Sequence, residues 1–303
     1  MKRLLRKLIA LAVSRLPKGL LIDIEFFELF QRRGWHVVPN HFYDPIPDTS
    51  QLPDRLWERP SEMIGIDQNI EAQAALLEEI AGSGLKEYAA LGAETTASAF
   101  AGIDGAMLYS LVRRLKPRRM IEIGSGASTL LTLRAMELNR AEDPAAQGEF
   151  TAIEPYPSET VRKALRGKGT LIEEKVENLP LALFEALGEN DILFIDSSHS
   201  VKIGSDVHYE ILEILPRLKK GVHIHIHDIF LPYHYPKDWV KGRKIFWTEQ
   251  YLLQAFLACN RDFEILWSPG SLWQRMPERL AAHFPGYDHE RQPAGSFWMR
   301  RCR

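Results

Sequence analysis

The chain has 303 residues, 45% of them hydrophobic and 26% charged, with a formal net charge of −2. That length is enough for one large α/β domain with an appendage, and the near-neutral balance lacks the electrostatic footprint of a dedicated nucleic-acid binder. The two cysteines, Cys259 and Cys302, have no metal-ligand spacing; a reduced cytosolic pair is expected, with one disulfide as the alternative.

Residues 1–18 carry six basic side chains (Lys2, Arg3, Arg6, Lys7, Arg15 and Lys18) and no acidic one. Leu4, Leu5, Leu8, Ile9, Ala12 and Leu16 recur on one helical face beside them, which predicts a basic amphipathic helix. The unbroken apolar run 8–13 is too short to span a bilayer or to make a good signal-peptide core. Such a helix either lies on an anionic membrane surface or packs on its own domain or a partner chain. The helical pattern resumes over 19–33 (Leu20, Ile24, Phe27, Phe30) and ends at Gly34. Residues 34–60 then hold five prolines (Pro39, Pro45, Pro47, Pro53, Pro60) and the aromatics Trp35, Phe42, Tyr43 and Trp57. That composition predicts an extended segment, either a lid over a ligand crevice or a wrap over the sheet edge.

Asp67 predicts the cap of a helix with Ile70, Ala74, Leu77 and Ile80 on one face, followed by Gly82 and Gly84. Asp104 predicts the cap of a second helix (Met107, Leu108, Leu111, Val112, Leu115) that ends at Pro117. Beyond it, apolar runs at 120–123, 150–153, 170–172, 192–195 and 222–226 alternate with helical patterns, as buried parallel strands do. Runs at 263–267 and 296–299 fit an antiparallel edge, and Thr248 predicts the cap of a helix bearing Tyr251, Leu252, Ala255 and Phe256. The fold class expected is α/β: a doubly wound, mostly parallel seven-stranded sheet of Rossmann-like type. Residues 1–100 would be an N-terminal helical and irregular extension, and residues 101–303 the ligand-binding domain.

The stretch Met-Ile-Glu-Ile-Gly-Ser-Gly-Ala-Ser-Thr over 120–129 carries the most chemistry. An apolar strand enters a glycine turn and a helical pattern (Leu130, Leu131, Leu133, Met136) follows, as in the unit that opens a nucleotide-binding fold. Gly124 and Gly126 permit a sharp turn and a close backbone approach. Glu122 would repel a pyrophosphate but attract a cationic ligand, and Thr129 replaces the third glycine of G-x-G-x-x-G. Both departures point from NAD toward S-adenosylmethionine, whose aminopropyl group and sulfonium are positive. Ligands in such sheets bind outside the carboxyl ends of the strands. The site candidates are therefore Glu122–Gly126, Glu154, Asp196–His199 and His227–Asp228, and Glu154 suits two vicinal ribose hydroxyls.

Glu-x-Gly-x-Gly, the acidic Glu154 ending the next strand, Asp-Ile-Leu-Phe-Ile-Asp-Ser-Ser-His over 191–199 and Leu-Pro-Arg-Leu-Lys-Lys-Gly-Val-x-Ile-x-Ile-His-Asp-Ile over 215–229 resemble a known family. It is the class I S-adenosylmethionine-dependent methyltransferases, in the family-24 branch that is similar to O-methyltransferases and cephalosporin-hydroxylase-like proteins. The resemblance spans roughly residues 104–300, and residues 1–100 have no counterpart. It implies that Glu122, Gly124, Ser125 and Gly126 line the methionine end of the cofactor, that Glu154 holds its ribose, and that Val176 and Glu177 lie near adenine. Ser128 stands where many members carry a third glycine.

Asp196 and Asp228 end neighbouring strands, and with His227 they offer two carboxylates and an imidazole to Mg2+ or another divalent cation. In the related metal-assisted enzymes, acidic residues at these strand ends hold magnesium. A metal would lower the acceptor hydroxyl's pKa. Without one, His199 or His227 is the candidate general base, and Asp196 caps the next helix or contacts the cofactor. Both readings stay open. At ~3.3 Å per strand residue, His223 lies ~13 Å from His227, too far for one ion bound at ~2 Å. His223 and His225 are thus expected as partnered core or sheet-face residues, while His234 and Tyr235 are substrate-pocket candidates and Trp247 and Tyr251 could floor the acceptor site.

The expected activity is methyl transfer from S-adenosylmethionine to a hydroxyl oxygen of a sugar or small metabolite, with His199, His227 and Asp196 as catalytic residues. Expected partners are a small-molecule acceptor, a glycan among the candidates, and no nucleic acid; homo-oligomers and peripheral membrane contact through residues 1–18 stay open. The expected location is the cytoplasm or its membrane periphery. The rivals are a non-catalytic scaffold that binds the same cofactor and an NAD-binding oxidoreductase, the latter disfavoured by Glu122 and Thr129.

Overall fold

Seven apolar runs form one sheet in the computed structural model, which describes residues 2–17, 24–92 and 100–303. The strands are β1 (Arg119–Ile123), β2 (Glu149–Ile153), β3 (Thr170–Ile172), β4 (Ile192–Ile195), β5 (His223–Ile226), β6 (Phe263–Trp267) and β7 (Phe297–Arg301). Their spatial order is β3-β2-β1-β4-β5-β7-β6. The first five run parallel, and β7 lies antiparallel between β5 and β6. The expected doubly wound, mostly parallel sheet is therefore present. Strand order reverses at β1 and β4, and that switch point opens a crevice at their carboxyl ends.

Both faces of the sheet are covered, which is why its central strands read as unbroken apolar runs. Successive side chains of β4 enter opposite cores: Ile192 and Phe194 join Leu77, Met107, Leu111 and Met136, while Leu193 and Ile195 join Ile211, Ile214, Leu253 and Leu257. The first core is roofed by helices Ile70–Ala81, Gly102–Leu115 and Ala127–Glu142. The second lies under the helical run 206–217 and helix Glu249–Leu257.

Three caps differ from expectation. Asn69, in the left-handed region, precedes Ile70–Ala81, and Asp67 accepts the Asn69 N–H instead of capping the helix. Asp104 lies inside its helix, where its carboxylate accepts the N–H groups of Gly295 and Ser296 and ties the helix to the start of β7. Thr248 does precede its helix, but its hydroxyl accepts from Val201 N–H.

The chain divides into compact units over 1–54 and 55–303. The second begins at Arg55, where the sequence reading draws its boundary at 101; Leu77, Ile80 and Tyr88 share a core with Met107 and Leu111. The first contains helices Lys2–Arg15 and Ile24–Arg32, neither with a buried residue. Leu4, Leu5, Leu8 and Ile9 are each more than half exposed. The expected residues Lys18 and Leu20 lie outside the described residues. No helix among the described residues is long and apolar enough to cross a membrane.

Glu122 is buried in the sheet, in the cross-strand row Ala152, Glu122, Phe194, His225, Trp298. Its two carboxylate oxygens accept the Ser128 hydroxyl at 2.6 Å and the Thr129 hydroxyl at 2.5 Å. Thr129 Oγ1 in turn accepts Gly126 N–H at 3.0 Å. Burial, only partly offset by those hydroxyls, pushes the carboxyl up to about 8. The residue thus anchors the glycine turn to β1 and offers no charge to a cationic ligand, which removes that step from S-adenosylmethionine. Thr129, in the third-glycine position, completes the anchor.

Two outcomes follow. Between about pH 4.5 and 8 the folded chain keeps a proton on Glu122 that the unfolded chain releases, so this group costs stability as pH rises through that window. Glu122→Gln should gain stability relative to the parent from pH 5 to pH 8, by on the order of 3 kcal/mol; parallel melting curves against pH would refute this. At Gly124, φ is +81° and a Cβ would stand 1.9 Å from the Asp196 carbonyl oxygen. Gly124→Ala should therefore cost at least ~2 kcal/mol in thermal unfolding; a loss under ~0.5 kcal/mol would mean that β1 and β4 do not need this close approach.

Candidate active site

The carboxyl ends of β1, β2 and β4, with the turns that follow them, enclose a crevice of about 630 Å³, a volume typical of small-ligand sites. Gly124, Glu154, Val176, Glu177 and Asp196 line it, so these five expected cofactor-side residues are brought together. Glu154 is held by its own neighbours: it accepts Ser125 N–H at 3.2 Å and Tyr156 N–H at 2.8 Å. Those bonds fix the carboxylate on two turns and leave lone pairs for hydroxyl donors. Ser125 and Gly126 form the adjoining turn, and Ser125 Oγ is buried without a partner, an acceptor and donor that a ligand can satisfy. Val176 and Glu177 sit on the single turn Val176–Asn178 after β3. Glu122 lies beneath this surface and does not line it.

Beside the crevice, Asp196 and Asp228 extend from β4 and β5 and meet His199. His199 Nε2 is 3.2 Å from Asp196 Oδ1 and 3.7 Å from Asp228 Oδ2. Its Nδ1 is 2.9 Å from Glu249 Oε2. His199 and Asp228 have φ of +57° and +55°, a backbone conformation that costs energy and is kept where surrounding contacts enforce it. Those contacts are visible. The His199 carbonyl accepts N–H groups from Thr248 and Glu249, and Ser198 donates through N–H and hydroxyl to Asp206. Ser197 donates to Glu210, which lies in a π turn, Glu210–Ile214.

The charges explain the cluster. Burial alone would lower the His199 pKa, but hydrogen bonds to Asp196 and Glu249 prevail and raise it to about 10. In this arrangement Nε2–H faces the two aspartates, and a cation bound at that nitrogen would displace the proton. Burial works against ionised Asp196, yet the hydrogen bond from His199 and the charges of His227 and His199 hold it below the ordinary carboxylate range. Asp228 lies above that range because burial outweighs the same imidazoles. Burial likewise raises Glu249.

The sequence grouped His227 with the two aspartates; the structure groups His199 with them instead. One ligand atom from each of Asp196, His199 and Asp228 lies within 4.8 Å of the others. His227 Nε2 is 3.8 Å from Asp228 Oδ1, and its ring packs on Phe100 with centroids 4.7 Å apart. His225 stacks on Phe194 at 4.3 Å, and neither ring nitrogen has a partner, contrary to the partnered state expected; burial keeps it neutral by lowering its pKa. Tyr235 is buried, its hydroxyl accepting Gln250 N–H, so it belongs to the core rather than a pocket. His234 Nδ1 is 3.0 Å from the Tyr251 hydroxyl. Trp247 reaches the site, its ring 4.2 Å from that of His199. Trp57, from the proline-rich segment, donates to the Tyr235 carbonyl. Glu249 was not singled out in the sequence, where it reads as an ordinary acidic residue in a helix's first turn.

Residues 121–229 match the family described as a methyltransferase domain. A protein of Archaeoglobus fulgidus, described as uncharacterized, is 32% identical over 172 residues, covering 51% of this chain and 75% of that one. Among solved structures, a candidate protein-L-isoaspartate O-methyltransferase of Plasmodium falciparum, in complex with S-adenosyl-L-homocysteine, is 11% identical with a TM-score of 0.29, over 41% of this chain and 58% of that one. A structure described as cmcI-D160 Mg-SAM is 16% identical with a TM-score of 0.34, over 66% and 71%. A candidate methyltransferase of Thermobifida fusca is 14% identical with a TM-score of 0.39, over 84% and 99%. The match includes the glycine turn and both aspartate-bearing strand ends, so residues 121–229 of this chain are a methyltransferase domain of the family-24 type.

Proposed function

We propose that this chain transfers a methyl group from S-adenosylmethionine to an oxygen of a small hydroxylated acceptor, a sugar or similar metabolite, beside a divalent cation. One observation carries the reading: Asp196 is at once a wall of the 630 Å³ crevice and a member of the Asp196–His199–Asp228 cluster. A cofactor in the first and an acceptor at the second would be neighbours.

The residues suit that cofactor. The unpartnered Ser125 hydroxyl lies at the glycine turn, Glu154 has lone pairs available to vicinal hydroxyls, and Val176 and Glu177 form the far wall. S-Adenosylmethionine supplies a methyl group on a positively charged sulfur. What the chain contributes is placement: holding two reactants in attack geometry supplies effective molarities of ~10⁵–10⁸ M. Asp196, His199 and Asp228 are the residues that would hold a cation, which would make an acceptor hydroxyl more acidic. Trp247, beside His199, offers an aromatic face to a sugar ring.

Calorimetric titration with S-adenosylmethionine, S-adenosylhomocysteine and NAD tests the cofactor. Micromolar binding of the first two is expected, weakened ~10-fold or more by Glu154→Ala through the loss of ribose bonds. Tight NAD binding with no response to the other two would overturn the reading. For transfer itself, release of S-adenosylhomocysteine in the presence of hydroxylated acceptors should fall ~10²-fold or more in Asp196→Asn. It should also stop on chelation and return with Mn2+ or Mg2+; activity indifferent to chelation would remove the cation from the mechanism.

A further inference from the structure

We propose that the Asp196–His199–Asp228 cluster is a site for a borderline transition-metal ion rather than for magnesium, and that Glu249 is the positioning residue that aims the His199 nitrogen into it. The inference rests on the cation reading above and deepens it by naming the ion class and the residue that sets it.

The donor set supplies the first reason. Magnesium takes oxygen ligands and keeps much of its water, whereas an imidazole nitrogen favours manganese, iron, cobalt or zinc. His199 contributes that nitrogen, and its Nε2 is the ring atom facing both aspartates, at 3.2 and 3.7 Å.

The second reason lies on the opposite side of the ring. Glu249 is completely buried, and its Oε2 lies 2.9 Å from Nδ1. Its other oxygen has no partner, so this carboxylate is committed to the imidazole. A carboxylate accepting from Nδ1–H fixes the tautomer in which Nε2 carries the lone pair and raises the basicity of that ligand, a recurrent arrangement behind metal-bound histidines. The same helix start also holds the main chain, since Thr248 and Glu249 N–H groups both donate to the His199 carbonyl. Trp247 packs on the ring at 4.2 Å. Ring orientation, tautomer and left-handed backbone are therefore all set from 248–249. Three carboxylates also face the two nitrogens of one imidazole, which leaves carboxylate oxygens that the ring does not serve.

The test is calorimetric titration of chelator-stripped full-length protein with MnCl2, CoCl2, ZnCl2 and MgCl2, alongside Glu249→Gln and His199→Asn. The parent should bind Mn2+, Co2+ or Zn2+ at least ~10-fold more tightly than Mg2+. Glu249→Gln should lose ~10–100-fold in affinity for those ions while Mg2+ changes little, and His199→Asn should abolish the preference. Melting curves identify any variant that fails to fold; if Glu249→Gln does not fold, His199→Asn still decides the ion class. A parent that binds no divalent ion overturns the cation reading itself. A parent that prefers Mg2+, or that keeps its preference in His199→Asn, overturns the ion class. Unchanged Mn2+ affinity in folded Glu249→Gln overturns the role of Glu249 alone.

Discussion

The carboxyl edge of the sheet depends on the contact between Gly124 and the Asp196 carbonyl, where a Cβ would stand at 1.9 Å. This contact lets the turn after β1 cross directly over the end of β4. Two backbone hydrogen bonds hold the approach, Asp196 N–H to the Ile123 carbonyl at 2.8 Å and Gly124 N–H to the Ile153 carbonyl at 2.9 Å. Because these bonds continue the ladders of β4 on β1 and of β1 on β2, the turn is an extension of the sheet, and its position follows from sheet register. Asp196 is carried to a fixed height above the crevice by main-chain geometry alone. A side chain placed that way needs little further ordering when a ligand arrives.

Electrostatics supplies the second constraint. Glu122, Asp196, Glu210, Asp228 and Glu249 are acidic groups in the interior or at its margin, and each is handled differently. Glu122 is stabilised as the protonated acid, lodged on two hydroxyls. Glu210 accepts from Ser197 and is raised far above the ordinary range by burial and then by Glu249. Asp196 stays ionised because His199 donates to it. The fold thus keeps its ionised interior acid, Asp196, where the crevice meets His199, and favours the protonated form of the acids around it. A buried carboxylate without a partner is costly, and His199 is the partner that keeps Asp196 ionised.

The fold was legible in the sequence because a parallel sheet covered on both faces writes its strands as continuous apolar runs. Strand β7 extends beyond its apolar run into Arg300 and Arg301, which pair with Glu264 and Asp262; an antiparallel neighbour near the sheet edge admits charge where a central strand does not. The crevice residues were legible too, since Gly124, Glu154 and Asp196 each end a recognisable strand. Glu122 was misread because its setting depends on Ser128 and Thr129, which reach it only after the chain has turned into a helix. The pairing of His199 with Glu249 was not legible at all. Fifty residues separate them, and the packing of helix Glu249–Leu257 into the second core, through Leu253 and Leu257, brings them into contact.

The family match ends at residue 229, and this boundary divides the site by role. Gly124, Glu154, Asp196, His199 and Asp228 fall inside it, so the crevice and the cluster are built from the shared part of the chain. Glu249 and Trp247 fall outside, as does Trp57, whose indole donates to the Tyr235 carbonyl. The loop after Asp228 is fastened by outside residues as well: Ser61 N–H donates to the Pro232 carbonyl, and Gln250 accepts from Phe230 N–H and donates to the Tyr233 carbonyl. The loop after Asp228 is therefore fastened from segments 57–61 and 247–250. The orientation of the His199 ring, set by Glu249 and Trp247, thus depends on chain beyond the matched domain.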